Sequence, residues 1–266
     1  SVLLLFELIG LYGAYLYVVN DRRVSEVSVS LVEFKRGLFA IEEAPEQEKK
    51  SRNDTYALPG LICLIILLVC GYVSFLAVRL LIADTKIAAS LSTSRQNKGQ
   101  EVYDLQRNAL ITFPYRSDYY RIFSQVNLAL ANSVANGISQ GSSPSAQTQN
   151  TLSQLLQQGI GNARTSVSLA PITVVNWQNL AQMYRNLIGV GQNAEQFAVA
   201  SQNQAILLDP TNPLLRIDLG GIYYQMKQYE AAQNQFKIAI DLKPDLANAY
   251  YNYGKASWRR YQGKEG

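Results

Sequence analysis

Residues 213–246 read PLLRIDLGGIYYQMKQYEAAQNQFKIAIDLKPDL, and the spacing of small, bulky and proline residues in this stretch decides the fold. Pro244 lies near its end, and Pro114, Pro171 and Pro210 mark earlier copies of the same pattern. Six residues after the four prolines stand Tyr120, Trp177, Arg216 and Tyr250; nine after stand Phe123, Leu180, Leu219 and Tyr253. Ten after stand Ser124, Ala181, Gly220 and Gly254, all small. Five residues before the prolines are Ala109, Ser166, Ala205 and Ala239, and twelve before are Val102, Gly159, Ala198 and Ala232. Antiparallel helices that pack closely need small side chains where their backbones approach and a bulky one alongside. A proline suits the start of the next helix, because it lacks an N–H that the first turn would not use. The predicted class is all-α, an array of helix pairs.

The 34-residue unit 213–246, with Leu219, Gly220, Tyr223, Ala232, Phe236, Ala239 and Pro244, resembles the tetratricopeptide repeat family. The proline steps are 34, 39 and 57 residues counted back from Pro244, so the two longer steps contain insertions. The expected insertions are 187–193, between paired helices, and 136–150, whose Ser, Gln, Gly and Asn read as a flexible loop. Arg216, and Gln106, Ala163 and Gln202 at the position of Phe236, depart from the pattern and weaken individual repeats. Neighbouring repeats offset that loss. The resemblance implies a solenoid over 83–266 whose first helices line a concave surface that binds an extended peptide or a helix. Carried onto this chain, the groove residues are Arg121, Gln125, Gln178, Gln182, Arg185, Ile217, Tyr224, Tyr251 and Trp258, in stripes completed by Asp118, Leu128, Val175, Leu214, Gly221, Asn248 and Lys255. Gln and Asn offer donors and acceptors to an extended backbone, and the aromatic residues offer amphipathic anchors. Tyr251 and Trp258 have an equal alternative, packing against further repeats. The second helix of the last pair is missing after Gln262–Gly266, so the solenoid reads as truncated and the chain as part of a longer protein.

The start of the chain has another character. Residues 57–78 form a 22-residue run without formal charge, opened by Pro59 and Gly60 and closed by Arg79. At a rise of 1.5 Å per residue it would reach about 33 Å, enough to cross a hydrocarbon layer. A transmembrane helix is expected over 57–82. Residues 2–19 are apolar except for Glu7 and predict another transmembrane helix over 1–19, followed by a charged loop, 20–56. A secretory signal peptide competes for that first segment, though it has no basic leader and no clear small-residue cleavage site. Glu7 is read either as lying near an interface or as lining a polar path, since an ionised group in hydrocarbon is costly. Seven Lys or Arg between the spans favour a cytoplasmic loop and repeats outside the cytoplasm; Arg79, Lys86, Arg95 and Lys98 after the second span pull the other way.

There is no histidine, and the two cysteines, Cys63 and Cys70, fall inside the apolar run. Ser-His-Asp and Cys-His catalysis and the usual Cys/His zinc sites are therefore absent from this sequence. No phosphate-binding glycine loop is present. Sixteen Lys or Arg against ten Asp or Glu after Asp84 are too dispersed for a nucleic-acid footprint. Lys255, Arg259, Arg260 and Lys264 read as a solvated helix face. No catalytic residue, metal or cofactor is expected. The expected function is a membrane-anchored interaction module with a protein or peptide partner, bound to a lipid bilayer and not to nucleic acid. A second, looser resemblance is to bacterial O-antigen ligase and polymerase-like multi-span proteins. It is carried by the two spans followed by Asn108–Pro114, Tyr119–Ala131, Asn176–Tyr184 and Leu208–Tyr224. It implies an accessory region of a glycan transferase in a bacterial cell membrane, with the catalytic part outside this chain.

Overall fold

Each proline of the repeat pattern sits in a turn three residues ahead of the next helix in this computed structural model, and the residue before it ends the previous helix. Phe113, Ala170, Asp209 and Lys243 all have φ near −143° (−143°, −143°, −143° and −145°) and donate their N–H to Ala109, Ser166, Ala205 and Ala239 respectively. The expectation that proline starts the next helix is corrected here. Its ring bars the preceding residue from the helical region, so it acts as a stop.

The structure describes residues 57–96, 98–139 and 145–265. The helices among them are α1 (Ala57–Ser94), α2 (Gly99–Thr112), α3 (Ser117–Ser139), α4 (Ala146–Leu169), α5 (Val174–Arg185), α6 (Ala194–Leu208), α7 (Pro213–Gln225), α8 (Tyr229–Leu242) and α9 (Ala247–Glu265). The chain divides into two units, 1–77 and 78–266. The expected first span, the charged loop and Glu7 lie outside the described residues. In α1, Leu61–Ser94 is the one segment among the described residues long and apolar enough to cross a membrane, by length and composition alone. Its Leu64, Leu67, Leu68 and Phe75 are exposed. Cys63 is exposed and Cys70 half-buried, both as free thiols.

Within the second unit, burial begins at Ala83 and continues at Ile87, Ser90 and Thr93, one face of the helix. This face packs on Ala109, Leu110, Tyr119 and Phe123. Polar contacts fix the register: Arg116 Nη1 lies 2.8 Å from Asp84 Oδ1, the Tyr119 hydroxyl donates to the same oxygen at 2.6 Å, and Lys86 Nζ donates to Thr112 Oγ1 at 3.0 Å. Val78–Ser94 therefore serves as the first helix of a pair with α2. The pairs α3–α4, α5–α6 and α7–α8 follow, and each stacks on its neighbour through α2–α3, α4–α5 and α6–α7. The last described helix, α9, packs on α8.

The two columns of small residues before the prolines are buried throughout: Val102, Gly159, Ala198 and Ala232, and Ala109, Ser166, Ala205 and Ala239. In the column ten residues after the prolines, Gly220 shows why a small residue is needed. A Cβ there would lie 2.7 Å from Phe236 Cδ1, and the Phe236 ring is itself only 1% exposed. The pair is 16 residues apart, and the same separation in the first pair joins Ser90 to Gln106, whose amide donates to the Ser90 hydroxyl at 3.1 Å. Gln106 and Gln202 are thus core residues. Gln202 donates to the Leu215 carbonyl at 2.9 Å, which lets an amide replace the phenyl ring.

The expected flexible loop at 136–150 is corrected at both ends, since 136–139 belong to α3 and 146–150 to α4, while 140–144 lie outside the described residues. The long step extends both helices of that pair to 23 and 24 residues, against 13 and 14 in α7 and α8. Ten more residues in the second helix add about 15 Å of length. Ser145 supplies the new start, its hydroxyl accepting from the Thr148 N–H at 3.1 Å. The shorter step places 186–193 in the turn between α5 and α6. The α7–α8 turn closes with Lys227 at φ 61°, where Gln228 donates to the Tyr223 carbonyl at 2.9 Å and Lys227 to Tyr224 at 3.0 Å. This is the paired hydrogen-bond ending that usually carries glycine.

Gly220→Leu is expected to destabilise the chain by about 1–3 kcal/mol or more, because Phe236 has no free space to yield. Thermal unfolding followed by circular dichroism should show a midpoint lower by several degrees; an unchanged midpoint would refute this helix-pair geometry.

Candidate functional site

The first helices of three consecutive pairs, α3, α5 and α7, share a concave pocket of about 400 Å³. Its walls carry Gln125, Leu128 and Asn132 from α3, Val175, Gln178, Gln182 and Met183 from α5, and Asp218 from α7. Each helix brings its set to the pocket by the 3.6-residue period: 125, 128, 129 and 132 make one stripe, and 175, 178, 179 and 182 another. Within the second stripe Asn179 is buried and donates to the Ser124 hydroxyl at 2.7 Å, tying α5 to α3.

Helices α5 and α7 meet in a 40-residue register. Gln178 Nε2 donates to Asp218 Oδ2 at 3.3 Å, and Arg185 Nε donates to Gln225 Oε1 at 3.3 Å, while Gln225 Nε2 returns a bond to the Arg185 carbonyl at 3.2 Å. The Arg185 guanidinium lies over Gly221, where an added Cβ would come within 2.9 Å of Nη2. Burial pushes the Asp218 carboxyl above the usual carboxylate range, against the opposing pull of the Gln178 amide and the positive charge of Arg185. Among the described residues no Lys or Arg forms an ion pair with Asp218.

Of the groove residues read from the sequence, the pocket brings together Gln125, Gln178 and Gln182, with Leu128 and Val175 from the same stripes. Arg185 stands at its edge, over Gly221. Arg121 is half-buried outside the lining set and pairs with Asp118 at 3.0 Å. Ile217 packs against Ala232, Phe236 and Ala256, on the side of α7 that meets α8 and α9. Tyr224 meets the Lys255 ammonium 5.1 Å above its ring and the edge of Tyr229 at 5.4 Å. Tyr251 and Trp258 are exposed on α9, with the Arg259 guanidinium 5.3 Å from the Trp258 ring. A second depression, around Lys227–Ala231, Asn234 and Arg260, contains none of the predicted groove residues. It is crossed by the Arg260–Glu230 pair at 3.1 Å.

Asp218, Asn132 and Gln225 do not follow from the repeat pattern. Their signal lies in the helical phase. With Leu215, Leu219 and Ile222 buried on one side of α7, the stripe toward α5 runs 218, 221 and 225. Following 217 in place of 218 leads to the α8 side.

Residues 220–259 match the TPR repeat family model, so the chain carries a tetratricopeptide repeat there. No curated protein sequence matches the chain. Among solved structures, a monomeric mutant of IFIT1 with m7Gppp-AAAA superposes with a TM-score of 0.58 at 15% identity, over 69% of this chain and 40% of that one. The MamA crystal structure aligns over 72% of this chain and 85% of its own, with 15% identity and TM-score 0.49. A thermophilic TPR protein of Thermus thermophilus aligns over 66% of this chain and 99% of its own, with 14% identity and TM-score 0.36. The chain is a TPR-type helical repeat protein in fold.

A raised Asp218 pKa means that the folded chain holds this proton to higher pH than the unfolded chain does. Through that interval the folded state binds more protons, so its stability falls as pH rises. Asp218→Asn removes the titration. The variant is expected to gain stability over the parent between about pH 3 and pH 7, where ordinary carboxylates ionise. Melting curves of the two proteins across that range measure the gap; a gap that stays constant with pH would overturn the assignment.

Proposed function

We propose that this chain is a membrane-anchored recruitment module that holds an extended protein segment in the concave groove of its repeats. The observation that carries the proposal is the pocket shared by α3, α5 and α7. The exposed Gln125 and Gln182 present amide donors and acceptors there beside apolar walls. An extended peptide has unpaired N–H and C=O groups along its length, and side-chain amides can satisfy both kinds. The apolar, exposed part of α1 ahead of Ala83 supports the anchoring, and the seven basic residues of 20–56 support repeats on the extracytoplasmic side. An accessory role beside a multi-span glycan transferase would use the same groove, but it rests on domain order and ordinary repeat motifs. Recruitment uses only residues of this chain.

Anchoring has a direct measure. The full chain expressed in cells should sediment with membranes and stay there through an alkaline carbonate wash; recovery in the soluble fraction overturns the anchor. Groove binding is tested on an array of capped decapeptides of randomised sequence. Gln125→Ala combined with Gln182→Ala is expected to lower affinity for the retained peptides roughly tenfold, about 1.4 kcal/mol, with helix content unchanged. Equal affinity of parent and double variant would remove the groove from consideration.

A further inference from the structure

We propose that Asp218 makes the α3–α5–α7 pocket a subsite for a cationic side chain, an arginine or lysine of the bound segment. The inference rests on the groove reading and assigns its chemical specificity. Asp218 is the one charged residue among the ten that line the pocket. It is half-buried, and the hydrogen bond that reaches it is a long one, from Gln178 to Oδ2 at 3.3 Å. The Arg185 guanidinium, the charge that acts on Asp218 from α5, is turned toward Gln225 and lies over Gly221. The carboxylate therefore gives up water without gaining an ion pair.

A carboxylate desolvated in this way costs stability until a cation reaches it. A ligand cation would complete the pair, and the pocket has the shape for one. Leu128, Val175 and Met183 offer apolar wall for the methylene stem of a long basic side chain, whose charged head would then meet Asp218. A volume of about 400 Å³ admits such a side chain together with part of the main chain that carries it. Glutamate in the same place would set two carboxylates against each other, and an uncharged isostere would leave the Asp218 charge unpaired. The pocket thus selects by charge as well as by length.

The test uses the full chain on capped decapeptides with randomised flanks and a central residue fixed as arginine, lysine, citrulline or glutamate. The parent should retain arginine- and lysine-centred peptides about tenfold more strongly than citrulline-centred ones, and glutamate-centred ones least. Asp218→Asn should abolish that preference while folding at least as stably as the parent at neutral pH. Arg185→Gln, which removes the neighbouring positive charge, should keep or sharpen it. Binding that is equal across all four centres, or a preference that survives in Asp218→Asn, overturns the cation subsite and leaves the groove standing. Absence of binding to every peptide overturns the groove reading, and the subsite with it.

Discussion

The close approach of the two helices inside each pair is the constraint on which the rest of this structure depends. Gly220 and Phe236 show it most sharply: one helix gives up its side chain so that the other can bury a whole ring. The ring in turn packs with Ala232 and Ala256, so a single small residue controls contacts among α7, α8 and α9. Elsewhere the same approach is met with other chemistry. Ser90 faces Gln106 through a hydrogen bond inside the first pair, whereas Gln202 reaches out of its own pair to the Leu215 carbonyl of the next. An amide can occupy a ring's place only where a donor or acceptor waits for it, since an unpaired buried polar group costs more than it contributes. Gln106 meets that condition in part, for its Oε1 has no partner while its Nε2 does.

Pairing also decides what the concave face can be. Because the core face of α7 is used by Leu215, Leu219 and Ile222, and the α8 side by Ile217 and Gly220, the stripe facing α5 is left to Asp218, Gly221 and Gln225. Gly221 leaves room for the Arg185 guanidinium, which lies over it and donates to Gln225. A larger residue at 221 would displace the guanidinium. The glycine doublet therefore has two jobs, Gly220 for packing on Phe236 and Gly221 for the placement of a charge in the groove.

The fold was largely legible in the sequence because its constraints are local and periodic. A residue limited by helix approach recurs at two fixed offsets before a proline, small in seven of eight cases, and all eight positions are buried, whereas Gly254 in the column after the prolines is exposed. The long insertion was misread for the same local reason. Ser, Gln, Gly and Asn at 136–139 and 146–150 carry loop propensities, yet packing of α3 along α4 overrides them there, as tertiary contacts commonly override weak local preference. The site was legible in part. Gln125, Gln178 and Gln182 followed from the helical stripe, whereas Asp218 depended on a phase difference of one residue in α7. That difference is set by which neighbour each side of the helix meets, and it is not contained in the repeat pattern. Tyr251 and Trp258, assigned by the same stripe, lie on α9 outside the pocket.

The groove's polarity has a physical logic that composition hides. The repeats are rich in Gln and Asn, and the pocket lining holds one formal charge, Asp218. Amides hydrogen-bond an extended main chain without regard to its side chains, so a groove lined only by them would bind many segments about equally. One carboxylate under reduced hydration changes that balance. Its interaction with an opposite charge is strengthened where water is partly excluded, and its cost when left alone is raised by the same exclusion. Discrimination arises from both effects together, because a wrong ligand forfeits the attraction and also seals in the penalty. A fully solvated aspartate at the rim would have contributed less of either. The position of Asp218, half-buried beside Gln178 and outside any ion pair among the described residues, is thus what would make an otherwise neutral amide groove selective under the proposed reading.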